Sequence, residues 1–467
     1  MSMEWMAPAM FAGLVLVLLL GYPVAFSLAA NGLIFGIIGL KLGFLDMSLM
    51  QALPERVLGI MANQTLLAIP FFTFMGLILE RSGMAEDLLE SVGQLFGAIR
   101  GGLAYAVIFV GALLAATTGV VAASVIAMGL ISLPIMMRYG YDARLATGVI
   151  AASGTLAQII PPSLVLIVLA DQLGVSVGAL YQGALVPSLV LTGLYVLFVW
   201  LVTMFKPAAA PALPLSARPL RGKALWGSAL RAIVPPLLLI FLVLGTIFLG
   251  WATPTEGGAM GATGALLLAW ARRRLPLELL KQALNTTTRL SSFVMFILIG
   301  STVFSLVFRG VNGDLWVEHL LTGLPGGALG FLIVVNLLVF VLAFFLDFFE
   351  IAFIIIPLLA PVAQKLGIDL IWFGVLIGIN MQTSFMHPPF GFALFYLRSV
   401  APKEIKTTDI YRGAIPFVLI QLVMVALVIA FPDIASSAKP QTLSSGVIEV
   451  PMEQDGYGDY YLPKEWR

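Results

Sequence analysis

Long apolar stretches separated by short polar or charged interruptions run through the chain from about position 7 to position 432. A helix crossing the hydrocarbon core of a bilayer needs roughly 20 apolar residues. On that scale the pattern predicts spanning helices near 7–21, 23–42, 62–82, 144–170, 180–205, 232–251, 257–272, 288–308, 371–397 and 412–432. Two further apolar runs, 103–137 and 328–365, are too long for one helix and are interrupted in their middles, by "LLAATTGVVAAS" and "FFLDFFEIAF". Each reads as a helical hairpin that enters the membrane and returns on the side it came from. Residues 44–61 and 275–287 read as short interfacial arms.

Composition agrees with an all-α polytopic membrane protein: 60% of residues are hydrophobic and 10% charged, with a mean hydropathy of +1.04. A net charge of +1 and no basic stripe with interleaved aromatics exclude nucleic acid as a partner and leave the lipid bilayer as the surroundings. The absence of cysteine excludes disulfides, thiol catalysis and cysteine metal sites. The start, "MSMEWMAPAM", has neither a basic region nor a small-residue cleavage site, so the first apolar run is expected to be a retained helix. Lysine and arginine collect in the loops that alternation assigns to the cytoplasm, including 205–231, Arg272 to Arg274 and the segment from Arg398 to Arg412. The scheme closes only if both hairpins return, and it places both termini on the periplasmic side.

The two halves of the chain resemble each other. "LPIMMRYGYDARLATGVIAASGTLAQIIPPSLVLIVLA" (133–170) aligns with "IPLLAPVAQKLGIDLIWFGVLIGINMQTSFMHPPFGFALFYL" (356–397), matching Pro161–Pro162 to Pro388–Pro389 and Asp142 to Asp369. "YQGALVP" at 181–187 is echoed by "YRGAIP" at 411–416. Each unit holds five crossings and one hairpin, so the second copy is inverted relative to the first. Inverted repeats with broken helices in matching places point to a secondary transporter with its site near the membrane midplane.

The paired prolines explain the chemistry expected there. Two adjacent prolines remove two backbone donors and disfavour helix before them, so carbonyls of Met381 to Phe385 are expected to lose their partners. Such carbonyls are tolerated at membrane depth only where they line a cavity or bind something. With Thr383 and Ser384 beside them, they make an oxygen-only set suited to a hard monovalent cation such as sodium. The loop 152–163 offers Ser153, Thr155, Gln158 and Ser163 in the same setting. Each break is expected to face a hairpin tip: Thr117, Thr118, Gly119 and Ser124 in the first half, Asp347 and Glu350 in the second. Helix N-termini after the prolines would present their positive ends to an anion.

Plainer readings exist for each feature. Either break alone could be a proline kink with hydroxyls bonded back to the helix. His387 could be a packed histidine, and Asp347 and Glu350 could sit at a hydrated hairpin mouth. Gly257, Gly261 and Gly264 in "GGAMGATG" lack the Lys-Ser/Thr of a phosphate loop and read as helix-packing positions. A membrane-embedded hydrolase would need a nucleophile with its base, or a second intramembrane aspartate beside Asp347. A passive channel fits poorly with broken helices and facing hairpins.

The segments "AIPFFTFMGLILERSGMAEDL", "AATTGVVAASVIAMGLISLPIMMRYGYD", "SGTLAQIIPPS" and "NMQTSFMHPPFGFALFYLR" together resemble the large membrane subunit of tripartite ATP-independent periplasmic (TRAP) transporters, the DctM-type permease. The resemblance covers roughly residues 5–432. It implies an elevator-type transporter in the bacterial inner membrane, related to the divalent-anion/sodium symporters, with sodium ions as coupling ions and no bound cofactor. It implies two partners: a small four-helix membrane subunit and a periplasmic substrate-binding protein that delivers a small organic acid, dicarboxylates among them. By position it assigns one sodium to Thr117, Thr118, Gly119, Ser153, Gly154 and Thr155, and another to Asp347, Gln382, Thr383 and Ser384. Ser124, Gln158, Ser163, Glu350, Asn380 and His387 then stand on or near the substrate side. His387 occupies a place where many members carry threonine before the proline pair. A stand-alone sodium/carboxylate symporter would share the inverted repeats and need no partner.

The expected organisation is a scaffold and arm (1–102), a transport part with hairpin and broken helix (103–205), a cytoplasmic connector (206–231), a second scaffold and arm (232–327), a second transport part (328–432) and a polar tail (433–467) without apolar periodicity.

Overall fold

The computed structural model describes residues 3–435 apart from Val120, Phe345 and Phe390, with Thr117 and Thr118 described by their backbone only. Most of the polar tail therefore lies outside the described residues. Every regular element among them is a helix. Seven helices among them are long and apolar enough to cross a membrane, or eight when the pair Gly313–Thr322 and Gly327–Leu342, bent by 115° at its break, counts as one. Side chains such as Phe241, Leu242 and Leu337 stand exposed along these helices, the surface expected of a chain solvated by lipid.

The first half begins with α1 (Met6–Leu19), α2 (Val24–Lys41), the paired short helices α3 (Met47–Gln51) and α4 (Leu53–Met61) as the arm, α5 (Ala68–Arg81) and α6 (Met84–Phe96). The hairpin follows as α7 (Gly102–Thr118) and α8 (Val121–Arg138). A broken segment, α9 (Ala143–Thr155) and α10 (Leu164–Leu173), then leads to α11 (Val177–Phe205). The second half runs through α12 (Gly222–Phe248), α13 (Pro254–Ala271), α14 (Leu277–Gly310) and α15 (Gly313–Thr322). Its hairpin is α16 (Gly327–Leu342) followed by α17 (Phe348–Glu350), a π-helical turn (Ile351–Ile355) and α18 (Ile356–Lys365). The broken segment α19 (Leu370–Met381) and α20 (Phe392–Val400) and the last helix α21 (Thr407–Ala430) complete it.

Helices are interrupted at both expected hairpin tips and at both expected breaks, while three features differ from the sequence expectation. Residues 275–287 form no separate arm, because "LELLKQALNTTTRL" carries no breaker and runs on as the first part of the 34-residue α14. Helices α6 and α15 occupy segments where the apolar pattern predicted no element, since both are amphipathic and neither is apolar throughout. Pro235 and Pro236 lie inside the continuous α12, so a proline pair does not by itself end a helix in this chain. The expected span 232–251 already runs through that pair, and the difference is that the helix starts ten residues before the apolar run does.

Close packing here rests on small residues, since lipid supplies no hydrophobic force between helices. A Cβ on Gly32 of α2 would stand 2.9 Å from the backbone of Val303 and Phe304 on α14, and one on Gly300 would overlap the carbonyl oxygen of Ala25. The glycines of "GGAMGATG" do the same work: Gly258 meets Phe71 and Gly261 meets Met75 on α5, and Gly264 meets Leu239 on α12. In the other half of each unit, Gly148 on α9 and Gly413 on α21 bring those helices into backbone contact. The arginines that follow α13 fix its C-terminal end, with Arg274 2.7 Å and Arg272 3.4 Å from the Asp87 carboxylate on α6. Trp251 and Trp270, both exposed, stand at opposite ends of α13, the placement of interfacial aromatics.

Candidate functional site

The two breaks are built alike. Asp142 caps α9 by accepting from the backbone N–H of Arg144 and Leu145, and Asp369 caps α19 by accepting from Trp372. Each helix then tightens into a 3₁₀ turn, Leu156–Gln158 in the first and Gln382–Phe385 in the second, before a proline pair whose Pro–Pro bond is cis. Ser163 restarts the first segment by accepting from the N–H of Leu166, and its hydroxyl donates back to the carbonyl of Gln158.

Some of the carbonyls freed by the second break are taken up again locally. Thr383 donates its hydroxyl to the carbonyl of Asn380 at 2.7 Å, Ser384 donates to that of Met381 at 2.6 Å, and the Thr383 carbonyl accepts from the N–H of Met386. The two hydroxyl oxygens keep their lone pairs. Gln382 is fully buried and both atoms of its amide lack a partner, a costly arrangement that calls for something to bind.

A cavity of about 450 Å³ lies where the hairpin tips and the breaks meet. The first tip contributes Gly119, Val121 and Ala122, and the second contributes Asp347 to Glu350. Gln158, Leu164 and Val165 come from the first break, and Phe385, Phe392 and Tyr396 come from the second. Leu290 and Phe293 on α14 close the remaining side. Gly119 takes φ +58°, and a side chain there would press on Leu164, so the tip turns directly over the first break.

Asp347 and Glu350 are also structural. Asp347 accepts from the N–H of Glu350 at 2.9 Å while Glu350 accepts from that of Asp347 at 2.8 Å, a capping box that starts the second arm of the hairpin. Their carboxylates nevertheless border the cavity.

Of the candidates from the sequence, Gly119, Gln158, Asp347 and Glu350 line the cavity. Ser153, Thr155, Ser163, Gln382, Thr383 and Ser384 are buried in and beside the breaks and are not among the lining residues. Ser124 is buried on α8 and is not part of the wall. Gly154 packs against Val125 of α8, where a Cβ would overlap the valine. Asn380 points elsewhere: its amide donates to the carbonyl of Asn336 at 2.8 Å and to that residue's side-chain oxygen at 3.0 Å, tying α19 to the hairpin helix α16. His387 packs between two rings of the same hairpin, stacked on Phe344 at 4.2 Å and edge-on to Phe340 at 4.3 Å. The side chains of Thr117 and Thr118 lie outside the described residues.

Sequence reasoning passed over Tyr396, Phe293 and Gln421. Phe392 and Tyr396 are four apart on α20, which puts both on one face, so that signal was available. Gln421, on α21, is fully buried and donates to the Tyr195 hydroxyl at 2.9 Å and the Thr155 hydroxyl at 3.4 Å.

The model of the DctM component of tripartite ATP-independent periplasmic transporters matches residues 11–434. The chain belongs to that family. It is 32% identical to a C4-dicarboxylate TRAP transporter large permease of Pseudomonas aeruginosa, over 80% of this chain and 86% of that one. It is 30% identical to the sialic acid TRAP large permease SiaM of Vibrio cholerae, over 88% and 93%. A 2,3-diketo-L-gulonate TRAP large permease of Escherichia coli is 27% identical over 89% and 94%. The fold is similar to the YdaH transporter of Alcanivorax borkumensis, with a TM-score of 0.60 at 16% identity, over 84% of this chain and 90% of that one. As a DctM family member the protein is a multi-pass membrane protein.

Proposed function

We propose that this DctM-family chain is the translocating subunit of a TRAP complex in the bacterial inner membrane, taking up a small organic acid anion with the sodium gradient as its energy source. The observation that carries the reading is the cavity walled at once by both hairpin tips and both helix breaks. Its partners in this reading are a small four-helix membrane subunit and a periplasmic binding protein, with both termini of this chain on the periplasmic side.

The donor set fits sodium. It consists of hydroxyls and carbonyls of the two breaks, the unpartnered Gln382 amide and the Asp347 carboxylate. Among the described residues no cluster of His, Asp and Glu suited to a transition metal occurs. Gly119, Ser153 and Thr155 would hold one ion between the first tip and break. Asp347, Gln382, Thr383 and Ser384 would hold another in the second half. Cations held there offset the carboxylates and let an anion enter beside Gln158. The two similar halves act as inverted repeats, and the hairpins and broken helices travel as one body against the scaffold, an elevator.

Uptake by the reconstituted complex at constant pH, with sodium exchanged for choline, tests the coupling. Uptake is expected to collapse and, in sodium, to carry net charge. Equal rates in choline would end the sodium reading, and robust uptake by this chain alone in liposomes would make it a stand-alone sodium/carboxylate symporter.

A further inference from the structure

The wall of the cavity has a composition that discriminates among acids. Among the described residues five phenylalanines border it and form an unbroken series of ring contacts. Phe293 lies 5.9 Å from Phe349, Phe349 3.8 Å from Phe348, Phe348 6.1 Å from Phe385, and Phe385 6.1 Å from Phe392, centroid to centroid. The series reaches from α14 across the second hairpin tip and the second break to α20.

Among the described lining residues the polar groups are few: the Gln158 amide, the Tyr396 phenol and the carboxylates of Asp347 and Glu350. Both atoms of the Gln158 amide are buried without a partner. No lysine, arginine or histidine is among the described lining residues. A site built for a dicarboxylate normally presents guanidinium forks or other fixed cations to each end. With bound cations offsetting Asp347 and Glu350, no fixed cation is left for a second carboxylate, so each negative charge on the ligand beyond the first goes uncompensated at a cost that grows with the low dielectric of the site.

We propose that this cavity takes a monocarboxylate with an aromatic or bulky apolar body and disfavours small dicarboxylates, an assignment that rests on the cavity being the substrate site. The carboxylate end lies beside Gln158 and Tyr396, with one N–H of Gln158 and the phenol O–H donating to it. The body of the acid lies against Phe348, Phe349 and Phe385, which supply apolar area and edge-to-face contacts. A volume of about 450 Å³ is ample for an aryl acid of this kind.

The test uses the purified membrane complex in sodium, with phenylacetate, phenylpyruvate and succinate as probes and thermal stability as the readout, so that selection by a binding protein does not intervene. The aryl acids are expected to raise the melting temperature at concentrations roughly tenfold or more below those needed for succinate. Phe293→Leu, at a half-exposed position tolerant of change, is expected to narrow that gap, and Gln158→Leu to weaken both classes alike. Succinate acting at equal or lower concentration than the aryl acids overturns the assignment. Stabilisation by no acid of either class, with sodium alone still stabilising, overturns the reading of the cavity as the substrate site.

Discussion

The side-chain amide of Asn63 donates to the Asp171 carboxylate across 2.6 Å, joining the linker between α4 and α5 to the end of α10. Asn63 is itself held by accepting from the N–H of Thr65, and Asp171 by accepting from Gln172. In the elevator reading this bond connects the fixed scaffold to the moving part, so it must break in each cycle. The chain has no cysteine, which makes Asn63→Cys with Asp171→Cys a clean pair. Oxidation is expected to cross-link the two and stop transport by the reconstituted complex, and reduction to restore it. Full-rate transport by cross-linked protein would mean these segments do not move apart.

Gln421 links three elements that the sequence separates widely. Its amide donates to Tyr195 on α11 and to Thr155 at the end of α9, and all three residues are fully buried. Gln421→Leu leaves two hydroxyls short of a donor and is expected to cost about 1 kcal/mol, between the usual penalty for a stranded buried polar group and the smaller values found within membranes. Tyr195→Phe is expected to cost less, and the double variant less than the sum of the two. Melting curves of the three variants in detergent check this. Strict additivity would show that the bond contributes nothing of its own.

How much of this was legible in sequence differs by element. The interruptions at both hairpin tips and at both breaks were readable, because a polar interruption inside an apolar run has few explanations in lipid. The amphipathic α6 and α15 were not, since their apolar residues recur at helical spacing without forming a continuous run. The proline pair was an incomplete signal. Pro235–Pro236 sits inside α12, preceded by "ALRAIV", whereas Pro388–Pro389 follows "NMQTSFMH", whose hydroxyls and amides can accept the broken geometry. At the site, Asp347 and Glu350 were noticed as intramembrane charges, and the D-x-x-E spacing that makes them a capping box went unread. Asn380 and His387 are expected near the substrate side, with a packed histidine as the plainer reading of His387, yet their partners, Asn336, Phe340 and Phe344, lie some 40 to 50 positions away on one hairpin helix and its end, a relation set only by tertiary packing.

Gly154 offers a separate test, because packing and cation binding predict different outcomes for it. Gly154→Ala pushes a methyl into Val125 and is expected to destabilise by about 1–3 kcal/mol through overpacking. Val125→Ala in the same chain opens the space and is expected to recover much of the loss. The measurement is the melting temperature of the single and double variants. A Gly154→Ala protein of unchanged stability, or no recovery in the double variant, would show that the glycine serves something other than contact with α8.

The second break decides the cation reading. Thr383 donates its hydroxyl hydrogen to the Asn380 carbonyl, which leaves the oxygen lone pairs free and fixes where they point. Removing that oxygen from an ion held among Gln382, Ser384 and Asp347 leaves the ion short of a ligand, a loss of about 1–3 kcal/mol. Thr383→Ala is therefore expected to raise the sodium concentration for half-maximal transport by about tenfold or more. The variant keeps its backbone partners, so its melting temperature without sodium is expected to change little. Replacing Pro388 and Pro389 together with alanine restores two backbone donors and lets the helix run on from α19. That variant is expected to lose sodium-dependent transport while remaining folded. Uptake against sodium concentration for both variants, with expression level and melting temperature as controls, gives the answer. A well-folded Thr383→Ala complex with an unshifted sodium curve would remove the cation from this break and leave it a packing kink.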